Sequence, residues 1–356
     1  MTDIKVKFMT RNAHRVWLRQ LPGNGRGWNR CHFTFDPDAT HYDWLVVYDD
    51  LPPAQFERRS RRRENLRCWP QHTVLVTTEP PTIKLYDQAY TNQFAHILTS
   101  QPAWALPHPG RIFSQPSLQW FYGIGDASEI PFDELIQGGP VEKSKVISTV
   151  CSNKKQRHTL HQKRHRFTHE LAKRIPELVI LGKGQQPIDD KAEAVAPYRY
   201  HLAIENYIGE HHWTEKLADA FLGCALPFYI GCPNAADYFP AQSFIPLDLD
   251  DLDGAAGIIK EAIRNNEYER RLPYIMEARE KVLHEYNLFH VISNIIEARH
   301  LIAETSHARD AAPLYSRHAL IDEGASSKIR HLIDKTHLRL ACRFDRLRSG
   351  DRHRQT

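Results

Sequence analysis

Short apolar runs recur early in the chain, each ended by polar or turn residues: IKVKFM at 4–9, HFTF at 32–35, DWLVVYDD at 43–50, TVLVTTE at 73–79 and AHILTS at 95–100. Runs of this length, separated by longer connections, predict the strands of a parallel α/β sheet. The turn Gly138-Gly139-Pro140, followed by the charged VEKSK, predicts a boundary, after which the alternation restarts. KVISTVCS, LVILG, YRYHLAIEN, LPFYIG and FIPLDL predict strands, with helices over HTLHQKRHRFTHELAKRI and TEKLADAFLGC. This is the pattern of a second doubly wound unit, in which ligands sit outside the carboxyl ends of the strands.

Residues 252–306 are helical by period. A weakly patterned spacer leads to KIRHLIDKTHLRLACRFDRLR, where Ile329, Leu332, Ile333, Leu340, Phe344 and Leu347 share one face among basic residues and predict a basic amphipathic helix. The expected organisation is an N-terminal Rossmann-like domain over 1–140, a second over 141–306, and a spacer with the basic helix over 307–356.

A chain of 356 residues suits about two domains. It is 41% hydrophobic and 25% charged, has a mean hydropathy of −0.54, and contains no apolar run of transmembrane length. The start, MTDIKVKFMTRNAHRVW, lacks the apolar stretch of a signal peptide, and the expected location is cytoplasmic. Six scattered cysteines without a C-x-x-C pair agree with a reducing compartment. A net charge of +4 and a pI near 8.6 are too mild, and the basic residues too dispersed, to predict a nucleic-acid partner.

The informative stretch is ENYIGEHHWTEKLADAF at 205–221, which lies where a strand should end and a helix begin. Thr214 is a good N-cap for a helix opening with Glu215 and Lys216. A helix N-terminus attracts anions and disfavours a lysine, so Lys216 reads either as a phosphate ligand or as a solvated residue on an ordinarily capped helix. Glu215 is suited to accepting hydrogen bonds from sugar hydroxyls.

HLAIENYIGEHHWTEKLADAFLGCALPFYIGCPNAADYFPAQSFIPLDLDD (201–251) resembles the donor-binding signature of glycosyltransferase family 10, the α-1,3/4-fucosyltransferases. VISTVCSNKKQRHTLHQKRHRFTHELAKR (146–174) is similar to the family's Ser-Asn segment and helix-borne arginine, here Arg164 with Arg166 as the alternative. The resemblance implies a GT-B fold of two Rossmann-like lobes facing a cleft. It also implies a GDP-sugar donor, GDP-fucose in the family, and inverting transfer to an oligosaccharide or surface-glycan hydroxyl; no H-E-x-x-H or Cys/His ligand spacing is present, and no cofactor is expected to be required. Asn206, Glu215 and Lys216 match donor-contacting positions, and Arg164 matches the arginine that neutralises the diphosphate. His212 stands where the family has a tyrosine, which leaves the donor sugar open, and His211 is outside the family pattern. VTTEPPTIKLY (76–86) resembles the strand ending in the family's general base and gives Glu79 that role; otherwise Glu79 is a turn residue before Pro80-Pro81. A base at that strand end would take the acceptor's proton as its oxygen attacks, while Arg164, Lys216 and the helix N-terminus stabilise the departing diphosphate.

Other features are weaker. LPGNGRGWN (21–29) lacks the spacing of a phosphate-binding loop and is expected to be mobile. One or two of Trp17, Trp28, Trp104 and Trp120 could face a sugar. Asp49-Asp50 and the series Asp248, Asp250, Asp251 and Asp253 are expected to cap or turn the chain rather than bind a metal. The run ERRSRRRENLR (57–67) is a solvated face or receives an anionic acceptor, and the C-terminal basic helix is a solvated face or contacts acidic lipid peripherally. The expected function is fucosyl transfer from a GDP donor. The alternatives are a transferase for another nucleotide sugar and a non-catalytic glycan- or nucleotide-binding protein.

Overall fold

The structure is a computed structural model that describes residues 3–12, 14–116, 119–151, 160–300 and 312–322, together with Leu332, Ile333, Thr336 and Leu340. In chain order the strands and helices are β1 (Ile4–Met9), α1 (Arg15–Leu18), β2 (Gly27–Trp28), β3 (Cys31–Thr34), β4 (Trp44–Tyr48), β5 (Arg63–Glu64), β6 (Thr73–Val76), α2 (Gln88–Thr91), β7 (His96–Thr99), β8 (Arg111–Phe113) and α3 (Phe132–Gln137). They continue with β9 (Lys145–Val150), α4 (His161–Arg174), β10 (Leu178–Leu181), α5 (Ala192–Val195), β11 (Tyr198–Ile204), α6 (Glu215–Leu222), β12 (Leu226–Ile230), β13 (Ile245–Pro246), α7 (Leu252–Arg264), α8 (Glu267–Leu283), α9 (Leu288–Glu297), β14 (Leu314–Tyr315) and α10 (Arg317–Asp322). The α/β class, the two Rossmann-like sheets and the helical region toward the C-terminus are as the sequence predicts.

The chain forms two units. The first draws its described residues from Met1–His14, Arg26–Pro116 and Ile292–Thr356; the second comprises Arg15–Gly25 and Ser117–Val291. In the first, the sheet order is β2-β3-β1-β4-β6-β7-β8, parallel throughout except for β2 against β3. In the second it is β10-β9-β11-β12-β13, all parallel. The inner strands WLVVY, TVLV and LPFYI are buried at every position, as strands covered on both faces must be. Pro227 is tolerated in β12 because pairing with β13 begins only at Phe228, so no second neighbour needs its missing N–H. FIPLDL yields just the two residues of β13, where Pro246 cannot donate to a ladder.

The division differs from a boundary at Gly138-Gly139-Pro140, because buried polar groups rather than linker composition decide which segments cohere. Arg19, just beyond α1, is buried and donates from its guanidinium to the carbonyls of Trp120 (2.9 Å), Tyr122 (3.0 Å) and Ile130 (3.0 Å). Asn287 Nδ2 donates to Gln20 O at 2.9 Å, and Trp17 packs edge-on against Phe289. These contacts commit Arg15–Gly25 and the segment before α3 to the second unit. The chain beyond Val291 returns to the first: Ser293 Oγ donates to Trp28 O (3.2 Å), and Leu314 pairs with Glu64 between β14 and β5.

The expected mobile loop at 21–29 is partly ordered by such contacts. Gly23, at φ +68°, donates its N–H to Asp133 Oδ2, and Trp28 is buried. Trp17 and Trp120 are core residues. Of the stretch 252–306, the described residues form α7, α8 and α9, with Asn266 in a left-handed conformation (φ 51°) between the first two; 301–306 lie outside the described residues. Cys31, Cys68, Cys151, Cys224 and Cys232 are buried free thiols. No helix of the described residues is long and apolar enough to cross a membrane. The basic C-terminal helix lies for the most part outside the described residues.

Replacing Arg19 with Met would strand three carbonyls and a desolvated pocket. We expect a loss of about 3 kcal/mol, the scale of breaking a buried charged network. Urea unfolding followed by tryptophan fluorescence measures it, and a midpoint within error of the wild type would show that Arg19 does not hold the second unit together.

Candidate functional site

In the second unit β9 lies between β10 and β11, so the strand order reverses beside it. Such a switch point leaves a crevice at the strands' carboxyl ends. A cavity of about 120 Å³ occupies it, lined by Thr149 and Val150 at the end of β9, Leu202, Ala203 and Ile204 at the end of β11, and the side chains of Arg164, Thr168, Lys191, His201, Lys216 and Asp219.

The crevice is shaped by a carboxylate that the sequence reading passed over. Glu205 follows β11 and is wholly buried. Its two oxygens accept from Thr214 N (2.8 Å) and Thr214 Oγ1 (2.7 Å), which ties the end of β11 to the start of α6. Thr214 is the N-cap, its hydroxyl accepting from Lys216 N at 3.3 Å. Behind it, Gly231 approaches so closely that a Cβ there would fall 2.5 Å from Glu205 Cγ.

Lys216 Nζ lies 2.9 Å from Glu215 Oε1 and 3.5 Å from Glu205 Oε2. A lysine in the first turn opposes the helix dipole, and here two carboxylates of the chain itself offset that cost. Burial alone would favour the neutral amine, but Glu215 and Glu205 outweigh it and hold the Lys216 pKa above its ordinary value. Burial likewise acts to raise Glu215, yet Lys216 and Lys191 bring it down to about 2. Glu205 and Asp219 are pushed up by burial. Lys191 Nζ sits 3.2 Å from Asp219 Oδ2 and 3.8 Å from Glu215 Oε1, over the ring of Phe121. Asp219 Oδ1 accepts from the N–H groups of Phe121 and Tyr122, both at 3.0 Å.

Arg164 differs from both lysines. It is 8% exposed, it donates from Nη1 to Ile204 O at 3.1 Å, and among the described residues it has no carboxylate partner and no acceptor for Nε. A buried, unneutralised guanidinium carries a large desolvation cost and marks a place suited to an anion.

Of the residues singled out from sequence, Arg164 and Lys216 line one cavity and Glu215 touches Lys216. Asn206 follows Glu205, with a buried Oδ1 that has no donor among the described residues. His212 is 2% exposed and packs edge-on against Tyr207, so it is an interior ring rather than a surface for a ligand to stack on. His211 occupies a left-handed position (φ 60°), its N–H donating to Asn234 Oδ1. Glu79 belongs to the first unit, half-buried beyond β6, with its carbonyl accepting from Gln101 Nε2 at 2.7 Å. Asp49 is engaged by Thr78, Lys84 and Tyr86, and Asp251 caps α7 through Gly254 N. Among the described residues no three His, Cys, Asp or Glu side chains converge as metal ligands. Lys191 and Asp219 went unnoticed in the sequence, and the sole hint of the former was its place in the run Asp189-Asp190-Lys191.

Two buried imidazoles give the unit an acid sensitivity of defined sign. Burial, with Lys191 nearby, lowers His201 to about 3, and burial with Lys216 lowers His212 to about 3. In the unfolded chain each titrates near ~6.5. Below that pH the unfolded chain binds protons that the folded unit refuses, so stability falls as pH drops from ~6.5 toward 3, by up to about 1.4 kcal/mol per pH unit for each group. Glu215 adds to the loss only below its unfolded value of ~4.3. Thermal unfolding between pH 7.5 and 4.5 should show a declining midpoint that is flatter in His212→Phe. The raised Glu205 and Asp219 act in the opposite sense, so the comparison isolates His212: equal slopes in wild type and His212→Phe would contradict a neutral buried His212.

Residues 140–268 match the family model for the C-terminal domain of glycosyltransferase family 10, the fucosyltransferases. Among curated proteins, the 4-galactosyl-N-acetylglucosaminide 3-alpha-L-fucosyltransferase 9 of Rattus norvegicus is 31% identical over 151 residues, covering 41% of this chain and 40% of that protein. The alpha-(1,3)-fucosyltransferase FucT of Helicobacter pylori is 34% identical over 74 residues, 20% of this chain and 16% of that one. The chain thus spans about two-fifths of the length of the first of these relatives, and less of the second. A crystal structure of an alpha1,3-fucosyltransferase aligns with 80% of this chain and 92% of its own at 17% identity and a TM-score of 0.45. Residues 140–268, which contain the crevice and all its lining residues, are thus similar to the C-terminal domain of the family 10 fucosyltransferases.

Proposed function

We propose that the protein transfers a sugar, L-fucose in the first instance, from a GDP donor to a glycan hydroxyl with inversion at the anomeric carbon. The observation that carries this reading is Arg164, a buried cation without a carboxylate partner among the described residues, lining a cavity at a sheet switch point. The similarity of residues 140–268 to the family and the fucosyl transfer named for their relatives support it. A volume of about 120 Å³ suits the diphosphate of the donor rather than the whole molecule. In this reading Arg164, Lys216 and Lys191 take the negative charge of the diphosphate, Asn206 and Glu215 position the donor, and no metal cofactor is required.

The acceptor oxygen attacks the anomeric carbon, the bond from that carbon to the diphosphate oxygen breaks, and GDP leaves with the electron pair. Glu79 takes the acceptor's proton. The interior position of His212, where the family has a tyrosine, favours a second reading in which the donor is another nucleotide sugar.

Thermal shift with GDP, UDP, ADP and CMP separates the two readings. A ligand bound only by the folded state at a hundredfold excess over Kd stabilises it by about 2.7 kcal/mol. We expect a GDP-selective shift, lost in Arg164→Ala and reduced in Lys216→Ala. Glu79→Gln should keep the GDP shift while fucosyl transfer falls by at least about a hundredfold, as for loss of a general base. Full transfer by Glu79→Gln would remove it from that role, and a UDP-selective shift would move the assignment to another donor.

A further inference from the structure

The first unit carries its own cavity at the equivalent topological position. There β1 lies between β3 and β4, the order reverses beside it, and a cavity of about 490 Å³ opens at the strands' carboxyl ends. Met9, Phe35 and Pro52 give it apolar walls, and Arg11, Asn12 and His14 give it polar ones. The ring of His14 packs against that of Phe35. Apolar faces with a few converging polar groups are what a sugar ring requires.

The charge of this cavity is one-sided. Among the described residues no carboxylate lines it, and Arg11 has neither an ion pair nor a hydrogen-bond partner for its guanidinium. The acids nearby in sequence are engaged elsewhere. Asp38 pairs with Arg62 at 3.1 Å, Asp36 accepts from Asp38 N, and Asp50 accepts from Leu51 N and Arg317 N. Burial lowers the His318 pKa, with Arg59, Arg317 and Arg11 adding to the effect and Asp50 opposing it.

A further feature follows in the chain after Pro52, which lines the cavity. Four residues beyond Pro52, Phe56 is 96% exposed at φ +72°, in a turn closed by Glu57 N donating to Ala54 O at 3.0 Å. A bulky residue in the left-handed region with its ring in water is held against both sterics and the hydrophobic effect. Arg58 and Arg59 follow, exposed and without ion pairs among the described residues. An exposed aromatic face beside unpaired guanidinium groups matches a saccharide that carries negative charge.

We propose that the cavity of the first unit seats an acidic sugar of the acceptor, its carboxylate or sulfate on Arg11, with the Phe56–Arg59 turn receiving the adjoining sugar. That the bound glycan is the acceptor rests on the transferase reading; that the site prefers an acidic saccharide does not.

The test is capture of the full-length protein on an array of matched neutral, sialylated, uronic-acid-bearing and sulfated oligosaccharides, with a single-stranded DNA oligonucleotide as the non-saccharide polyanion. We expect acidic members to be held about tenfold more tightly than their neutral counterparts, the scale of one charge-assisted hydrogen-bonded pair. Arg11→Ala should lose that preference while keeping its affinity for neutral glycans and its GDP thermal shift. Arg11→Lys should recover it only in part, for want of the bidentate fork. Equal capture of acidic and neutral members, a preference undiminished in Arg11→Ala, or DNA held as tightly as the acidic glycans would each overturn the proposal. An Arg11-dependent preference in a protein that shows no response to GDP would keep the site and sink the transferase reading instead.

Discussion

Glu205 is the interaction on which the second unit's site depends. A carboxylate with no exposure to water is expensive unless each oxygen is satisfied, and Thr214 satisfies both, one through its N–H and the other through its hydroxyl. The two hydrogen bonds fix the end of β11 against the start of α6, so the geometry of the helix entrance is set by a side chain on the strand. The same carboxylate lies 3.5 Å from Lys216 and supplies part of the charge that keeps a lysine at the positive end of a helix. The capping that positions the backbone and the charge balance that tolerates the cation are thus one arrangement.

Much of this was legible in the sequence. The period-two and fully apolar runs placed β1, β4, β6, β9, β11 and β12 within a few residues, because strands buried on both faces leave no other pattern. Thr214 was readable as an N-cap because its preference is local chemistry. The unit boundary was not legible. It is set by Arg19, whose partners lie about a hundred residues away in the chain, and no local composition signals such a pairing. For the same reason Lys191 and Asp219 went unrecognised, being charged residues at positions a solvated face would also occupy. His212 was recognised as a departure from the family pattern, but its burial depends on packing against Tyr207 that a single sequence does not reveal.

The two units solve the same topological problem with different charge. Each opens a crevice where its strand order reverses. In the second, two lysines meet three carboxylates, and Arg164 remains without one among the described residues. In the first, the polar lining is basic, amide and hydroxyl, and nearby Asp38 is paired with Arg62. A near-balanced cluster is specific for what can enter and re-pair it, whereas an unbalanced one attracts by field as well as by contact.

Neither unit is a single stretch of chain, and this has a consequence for synthesis on the ribosome. Arg15–Gly25 emerges early but packs with a unit whose main part, Ser117–Val291, follows roughly a hundred residues later. The first unit in turn takes in chain from Ile292 onward. The order in which residues leave the ribosome is therefore not the order in which the units can close. The seven-stranded sheet is complete by β8, but β5 gains its partner only when β14 has been made. Cutting the gene at the apparent linker would yield two fragments that each lack a piece of themselves.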